Sequence, residues 1–297
     1  MSAEALHIEL LHACRLKCLA CDHRLLGGDR ISAAQLRRIF SAPEFSRVRL
    51  VSFSGGEPLL HPELARIAAD AAAAFPRAAL VVLTSLFDTP GLEKFLKALP
   101  RPLLGRLHLG SSLDGPARVH DEMRGRAGAF AALERSHAWL KVNFPPLSTG
   151  FTFTATSVNA AYFFETWLEA RRLGAPLGLQ FLAPNANTAG LELKTADRKA
   201  LAAEIKAVLS VEAESRTGAA EAGSLKAALK FLDGGSGAAS CGAGKTFFML
   251  SPDGLFYLCP FYKEIAAPLA GIRELRARLK GPALKACSGC FLRCARY

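Results

Sequence analysis

Short apolar runs alternate with amphipathic helical patterns along the first 185 residues of the chain. The runs predict six strands, at residues 6–10, 47–54, 78–85, 105–112, 149–157 and 176–183. Between them, apolar residues at helical spacing predict helices at about 32–41, 62–75, 90–98, 127–141 and 160–173. This alternation is typical of βαβ units and a parallel sheet. Six strands are too few for the common eight-stranded closed barrel, so we expect an α/β fold with a partial barrel.

The remaining residues have a different character. Two further helical stretches, at 195–213 and 222–232, end in a glycine-serine run that resembles a linker. Two apolar runs then flank Pro252-Asp253-Gly254, which predicts a β-hairpin, and a short basic helix follows. We therefore expect a barrel at 1–190, a helical bridge and linker at 191–236, and a small hairpin-and-helix domain at 237–297.

Composition narrows the classes of protein and partner. The 297 residues are 51% hydrophobic and 21% charged, and Asp70 and Arg77 interrupt the apolar stretch that comes closest to a membrane span. No secretory signal is visible at the N-terminus, so we expect a cytoplasmic protein without a membrane partner. The formal net charge is +11, but the basic residues are dispersed and no aromatic stripe accompanies them, so nucleic acid is not expected. Residues 273–296 carry a local basic excess that suits an anionic metal site or an acidic redox partner.

The eight cysteines lie at the two ends of the chain. Three stand near the start and five near the end, at Cys14, Cys18, Cys21, Cys241, Cys259, Cys287, Cys290 and Cys294. Disulfide frameworks belong mostly to small secreted proteins, and this chain has neither property. Two metal sites are the simplest interpretation.

The first cysteine group follows the first predicted strand, at the sheet edge where α/β folds place their active sites. Structural zinc usually takes four ligands, and only three cysteines are present here. His23 stands two residues after Cys21, an awkward reach, so it is not assigned as a ligand. A four-iron cluster bound by three thiolates keeps one iron open for a substrate or cofactor.

Two motifs together resemble those of the radical S-adenosylmethionine (SAM) enzymes. Cys14-x3-Cys18-x2-Cys21 resembles their cluster-binding signature, and the run Ser54-Gly55-Gly56-Glu57-Pro58 after the second strand resembles their GGEP motif. The resemblance implies a [4Fe–4S] cluster whose open iron chelates SAM. It further implies that the backbone around Gly55, Gly56 and Pro58, with Glu57, receives the SAM ammonium group.

A third stretch resembles one branch of that family. Residues 111–115, SSLDG, and 120–125, HDEMRG, are similar to the stretch found in anaerobic sulfatase-maturating and peptide-modifying enzymes. The resemblance implies that Ser112 and Arg124 contact SAM, the guanidinium pairing with its carboxylate. Asp114 and Asp121 are better explained as helix caps or loop anchors.

The resemblance also covers residues near the fifth and sixth strands, and the chain departs from the family pattern at two places. It implies that Asn159 and Leu182 line the adenosine site, although a helix cap and a core residue are the structural alternatives. Ala20 replaces the usual aromatic residue before the third cysteine, and the third strand ends in Thr84-Ser85 where relatives often have TNG.

The second cysteine group resembles the SPASM and Twitch extensions of the same family. The resemblance implies one auxiliary [4Fe–4S] cluster bound by Cys241, Cys259 and two of the three tail cysteines, Cys287, Cys290 and Cys294. A four-thiolate zinc site remains the alternative.

The function implied is that of a radical SAM oxidoreductase or peptide-modifying enzyme. Such an enzyme cleaves SAM reductively to a 5′-deoxyadenosyl radical, which abstracts hydrogen from a substrate C–H bond. A peptide is the first expected substrate, with flavodoxin or ferredoxin as the electron donor. The alternatives are dehydrogenation of a small sugar or cofactor precursor, and a non-catalytic iron–sulfur or zinc redox protein. No catalytic acid or base can be assigned from the sequence.

Overall fold

Six parallel strands form the main sheet of the protein, in a computed structural model that describes residues 3–27, 29–215, 219–235, 241–277 and 290–291. They are β1 (Ala5–Glu9), β2 (Leu50–Ser54), β3 (Ala79–Leu83), β4 (Leu107–Ser112), β5 (Ser148–Ala155) and β6 (Leu177–Phe181). Each pairs in parallel with the next along the chain. The predicted α/β fold with a six-stranded partial barrel is confirmed.

Helices follow the strands as the sequence pattern predicts. Those before the C-terminal region are α1 (Ala33–Phe40), α2 (Leu64–Ala74), α3 (Thr89–Ala98), α4 (Ala117–Arg124), α5 (Ala129–Asn143), α6 (Phe163–Arg172), α7 (Thr195–Ser215) and α8 (Ala219–Leu232). Local signals fix their starts: Ser32 and Gln35 form a capping box at α1, and the Asp88 carboxylate accepts from the Gly91 N–H at α3. Helix α4 was not predicted, because its residues are mostly charged or polar and it buries only Val119, His120 and Met123.

The core lies between the sheet and its helices. Ile8, Phe53 and Phe153 are completely buried on successive parts of the sheet, and Phe163 of α6 packs edge-on against Phe153. Burying such a side chain contributes roughly 1.5–3 kcal/mol each. This packing holds the strands in register, so their carboxyl ends meet at one edge.

The C-terminal region continues the same sheet. Strand β7 (Phe247–Leu250) pairs in parallel with β1, β8 (Phe256–Tyr257) forms the predicted antiparallel hairpin with β7, and β9 (Ala266–Ala267) pairs with β8. A short helix, α9 (Ile272–Ala277), follows. The division into domains at 1–190, 191–236 and 237–297 stays a prediction, although the sheet runs unbroken from β6 to β9.

Helices α7 and α8 pack onto the barrel. Leu201, Ile205 and Leu225 are buried in the same apolar core as the six-stranded sheet. None of the helices in the described part of the chain is long and apolar enough to cross a membrane.

Candidate functional site

The three N-terminal cysteines lie on the loop that follows β1, at the carboxyl edge of the sheet. Cys14, Cys18 and Cys21 are half-buried and line a cavity of about 290 Å³. Four residues expected to contact SAM line the same cavity: Gly55, Gly56, Ser112 and Arg124. The other lining residues are Leu16, His23, Leu83, Thr84, Ser85, Gly110, Ser111, Thr152, Thr154 and Gln180.

The loop after β2 holds one side of the cysteine loop through its backbone. The Gly56 N–H donates to the Leu11 carbonyl at 2.7 Å, and the Glu57 N–H donates to the Ala13 carbonyl at 2.9 Å. A Cβ atom at Gly56 would lie only 2.2 Å from the Ala13 carbonyl oxygen. Glycine is therefore required here, because the two backbones approach too closely for any side chain.

The end of α4 holds the opposite side of the cysteine loop. The N–H groups of Lys17 and Leu19 donate to the carbonyls of Arg124 and Met123, at 3.2 and 3.0 Å. These carbonyls belong to the last turn of the helix, where no partner within the helix is available. Gly125 ends the helix with φ of 59°, and a Cβ there would lie 2.1 Å from the Lys17 carbonyl oxygen.

A third contact comes from the segment after β6. The side-chain amides of Asn185 and Asn187 donate to the carbonyls of Ala20 and Cys21, each at 3.0 Å. These asparagines could not be identified from the sequence, because their local pattern does not indicate contact with a loop about 165 residues away. The cysteine loop is thus held by three separate parts of the barrel edge.

Arg124 lies at the wall of the cavity with its charge already paired. Its Nη2 forms an ion pair with the Asp114 carboxylate, and its Nη1 is 3.8 Å from the Cys18 sulfur. The other Asp114 oxygen accepts from the Thr154 N–H at 3.0 Å. Burial by itself would lower the pKa of Arg124, but the nearby Asp114 and Cys18 raise it by more. The pKa therefore lies above its ordinary value, and the guanidinium stays charged. Its Nε is buried without a hydrogen-bond acceptor among the described residues.

The carboxylate of Glu57 is directed to the end of β3 and does not line the cavity. Its oxygens accept four hydrogen bonds, from the Leu59 N–H, the Thr84 hydroxyl, and the N–H and hydroxyl of Ser85. Four donors fill the lone-pair positions of a carboxylate. The expected role of Glu57 as an acceptor for the SAM ammonium stays a prediction that this geometry does not favour. Thr84 and Ser85, noted as departures from the family pattern, instead hold this carboxylate.

The remaining predicted polar residues organise loops. The Asp121 carboxylate accepts from the N–H groups of Gly128 and Phe130 at the start of α5, as expected for an anchor. Asn159 is completely buried, and its side chain bonds to Thr156, Thr154 and the Asp114 carbonyl.

Besides Glu57, two more residues assigned to cofactor binding lie outside the cavity lining. Pro58 is buried at the start of the 3-10 turn Pro58–Leu60. Leu182 is half-buried immediately after β6. Their assigned roles stay predictions.

Three polar side chains on β5 and β6 form another part of the cavity wall. Thr152 and Thr154 on β5 and Gln180 on β6 line it, and the Ser111 hydroxyl is buried without a partner among the described residues. The sequence analysis missed the two threonines, although their alternate positions near the carboxyl end of β5 put both on one face.

The chemistry of the three thiols fits an iron–sulfur cluster. Burial raises the pKa of the Cys21 thiol to about 11 and also raises the pKa of Cys14. Thiols in such surroundings ionise when a metal replaces their protons. The unpartnered Arg124 Nε and Ser111 hydroxyl are donors that a polar cofactor in the cavity would satisfy. Cys14, Cys18 and Cys21 would therefore hold the cluster, beside space for its ligand.

The C-terminal cysteines are described in part. Cys241 and Cys259 pack in one small cluster with Phe247, Met249 and Tyr257, beside the β7–β8 hairpin. Cys290 is half-buried, whereas Cys287 and Cys294 lie outside the described residues.

A partial barrel with three cysteines and a cofactor-sized cavity at its carboxyl edge is the architecture of a cluster-dependent enzyme. The sequence model of the Radical SAM superfamily matches residues 8–166. The chain belongs to the Radical SAM superfamily, whose members use a [4Fe–4S] cluster and S-adenosylmethionine.

Solved structures with the same fold include two that contain peptides. Streptococcus suis SuiB bound to precursor peptide SuiA shares 12% identity with a TM-score of 0.64, over 88% of this chain and 60% of SuiB. Native anSMEcpe with bound AdoMet and Cp18Cys peptide shares 18% identity with a TM-score of 0.68, over 97% of this chain and 86% of the other. At these identities the likeness concerns the fold.

The chain also has a curated relative that is similar in sequence. Fe-coproporphyrin III synthase of Methanosarcina barkeri (strain Fusaro / DSM 804) is 29% identical over 150 residues, which are 49% of this chain. The alignment spans 35% of that relative.

Proposed function

We propose that this protein is a radical SAM oxidoreductase that modifies a peptide side chain. The observation that carries the proposal is the cavity itself, because Cys14, Cys18 and Cys21 line it together with Gly56 and Arg124. When bound, the cluster and SAM supply one-electron chemistry that removes hydrogen from an unactivated carbon.

The chain's own residues would position the cofactor and exclude water. The hydrogen bonds that Gly56 and Glu57 donate, and those that the end of α4 accepts, fix the backbone that carries the cysteines. The Arg124 Nε and the Ser111 hydroxyl remain available to the polar groups of SAM. No carboxylate lines the cavity among the described residues, so beside the Arg124 guanidinium, the thiols and the His23 ring the wall consists of hydroxyls, one amide, glycines and apolar side chains.

Solved structures of similar fold that contain peptides support a peptide substrate. An extended peptide can direct a single side chain into the cavity while its backbone stays outside.

A tetrapyrrole is the second candidate substrate. It rests on the alignment with Fe-coproporphyrin III synthase, whose 29% identity exceeds the identities of the two peptide-containing structures. A macrocycle would remain at the mouth of the cavity and insert one ring substituent. We rank it second because that alignment covers half of this chain.

The test uses anaerobically reconstituted protein with dithionite and SAM. We expect 5′-deoxyadenosine from the wild type and none from the Cys14/Cys18/Cys21→Ala variant. With side-chain-deuterated peptides we expect deuterium in the 5′-deoxyadenosine, read by mass spectrometry. Deuterium from a labelled iron tetrapyrrole precursor of Fe-coproporphyrin III, with formation of Fe-coproporphyrin III, would instead favour the second candidate. No 5′-deoxyadenosine from protein with a full cluster would refute the enzyme proposal.

We also propose one auxiliary [4Fe–4S] cluster in residues 237–297, held by Cys241, Cys259 and two of the tail cysteines. The packing of Cys241 and Cys259 in one cluster of side chains supports it. Reconstituted protein should contain about eight irons per chain, as two four-iron clusters require. The Cys14/Cys18/Cys21→Ala variant should keep about half of them. About four irons in the wild type, together with zinc, would favour the zinc alternative.

A further inference from the structure

Three side chains of types that can ligate a metal ion meet beside the cysteine loop, and of these only His23 lines the cavity described above. They are Glu9 at the end of β1, His12 on the loop, and His23 in the 3-10 turn His23–Leu25. One ligand atom from each lies within 4.8 Å of the other two. We propose that Glu9, His12 and His23 bind one divalent transition-metal ion, with zinc as the first candidate.

One argument is the environment of the Glu9 carboxylate. Glu9 is only 6% exposed, its Oε1 lies 3.8 Å from the His23 Nε2, and the Tyr257 side chain interacts with the same carboxylate. No lysine or arginine nitrogen lies within ion-pair distance of Glu9 among the described residues, and Lys263 instead pairs with Asp22 at 3.9 Å. A buried carboxylate without a close cation is costly, and a bound metal ion removes that cost.

The two imidazoles each have a ring nitrogen that could bind a metal ion. The His12 Nδ1 is 3.1 Å from the Gly27 carbonyl oxygen, so this nitrogen carries the proton and Nε2 keeps its lone pair. This arrangement is the usual one for a metal-binding histidine. The His23 Nδ1 is buried without a partner among the residues described. The two rings lie side by side, with centroids 5.5 Å apart.

The types of the three ligands indicate which metal ion would bind. Two neutral imidazoles and one carboxylate suit zinc or iron(II), and do not suit magnesium or calcium, which prefer oxygen ligands alone. Three protein ligands leave a further coordination position open. Because His23 also lines the cavity, the proposed ion would lie beside that cavity.

The test measures metal in the full chain after anaerobic cluster reconstitution, incubation with zinc chloride and gel filtration. We expect Glu9→Gln and His12→Gln to hold one zinc fewer per chain than the wild type, by mass spectrometry of the metals. His108→Gln, a histidine on β4 away from the site, is the control and should match the wild type. X-ray absorption at the zinc edge of the wild type should show nitrogen and oxygen ligands with imidazole scattering.

Two results would overturn the proposal. One is an equal zinc content in the wild type and in both site variants. The other is sulfur among the ligands of all the bound zinc, which would assign the metal to cysteines. If a substitution also lowers the iron content, the absorption spectrum of the wild type decides alone. The readout is independent of SAM cleavage, so it stands or falls separately from the proposed function.

Discussion

The side-chain amide of Asn187 donates a hydrogen bond to the backbone carbonyl of Cys21 at 3.0 Å, joining residues 166 positions apart in the sequence. Asn185 does the same for Ala20. The cluster-binding loop is long and has little secondary structure of its own, so contacts of this kind determine where its third thiol lies. The segment after β6 is therefore part of the cluster site, although it supplies no ligand.

We expect Asn187→Ala to loosen the third cysteine without unfolding the barrel. One such hydrogen bond contributes about 1 kcal/mol, which corresponds to about a fivefold change in an equilibrium. A chelator should therefore remove iron from the N-terminal cluster about fivefold faster, followed by the loss of visible absorbance. Asn143→Ala is the matched control, because Asn143 makes a similar bond to the Trp139 carbonyl on the surface of α5. Equal rates in both variants would contradict a positioning role.

We expect Gly56→Ala to displace the cysteine loop. The added methyl group would overlap the carbonyl oxygens of Ala13 and His12, at 2.2 and 2.4 Å. Both are backbone atoms, so a side-chain rotation cannot relieve the overlap. The variant should lose most of the iron at the N-terminal site, measured as iron per chain after reconstitution. Gly105→Ala is the control, since its Cβ would meet nothing within 4 Å. Full iron loading of Gly56→Ala would refute this account.

The ion pair between Arg124 and Asp114 gives Arg124 a structural role besides the expected contact with SAM. Asp114 is 2% exposed, so Arg124→Gln leaves a buried carboxylate unpaired. Removing one partner of a buried pair costs roughly 3–5 kcal/mol. We expect a loss of this size in the free energy of unfolding, measured with urea on the cluster-free protein. The Arg124→Gln/Asp114→Asn double variant should recover part of it.

The same double variant separates the two roles of Arg124. If the guanidinium also binds the SAM carboxylate, the double variant should regain stability but still bind SAM at least about tenfold more weakly, as expected for loss of a charged hydrogen bond. Titration of the reconstituted protein with SAM, followed by the cluster's electron paramagnetic resonance signal, measures this affinity. Recovery of both properties would restrict Arg124 to its structural role.

The periodic parts of the molecule could be predicted from the sequence, and the contacts between distant segments could not. Strands β1 to β6 follow from apolar runs, and the position of Cys14 after β1 places it at the carboxyl edge. The bonds from Thr84 and Ser85 to Glu57 join residues about 28 apart and leave no pattern in the chain. The parallel pairing of β7 with β1 is of the same kind. Each depends on which strands become neighbours, which is settled only when the sheet forms.

His120 predicts a pH dependence of stability. It lies fully buried against Phe130, and its Nδ1 accepts the Asp114 N–H at 3.2 Å, so it is neutral in the folded protein. Burial, with a smaller effect from Arg124, lowers its pKa from 6.5 to about 3. Between these two pH values the unfolded chain binds a proton that the folded chain does not. The effect of His120 on the free energy of unfolding is therefore absent above pH 6.5, and the free energy of unfolding decreases as the pH falls below 6.5.

At pH 5 the loss is about 2 kcal/mol, since each pH unit below 6.5 corresponds to roughly 1.4 kcal/mol. We expect the free energy of unfolding of the cluster-free wild type to fall from pH 7 to pH 5 by about 2 kcal/mol more than that of His120→Gln. Glutamine keeps an acceptor for the Asp114 N–H but cannot take up the proton. His108→Gln, which removes a half-buried histidine elsewhere in the protein, should follow the wild type. Parallel pH profiles for the wild type and His120→Gln would show that His120 can be protonated in the folded state.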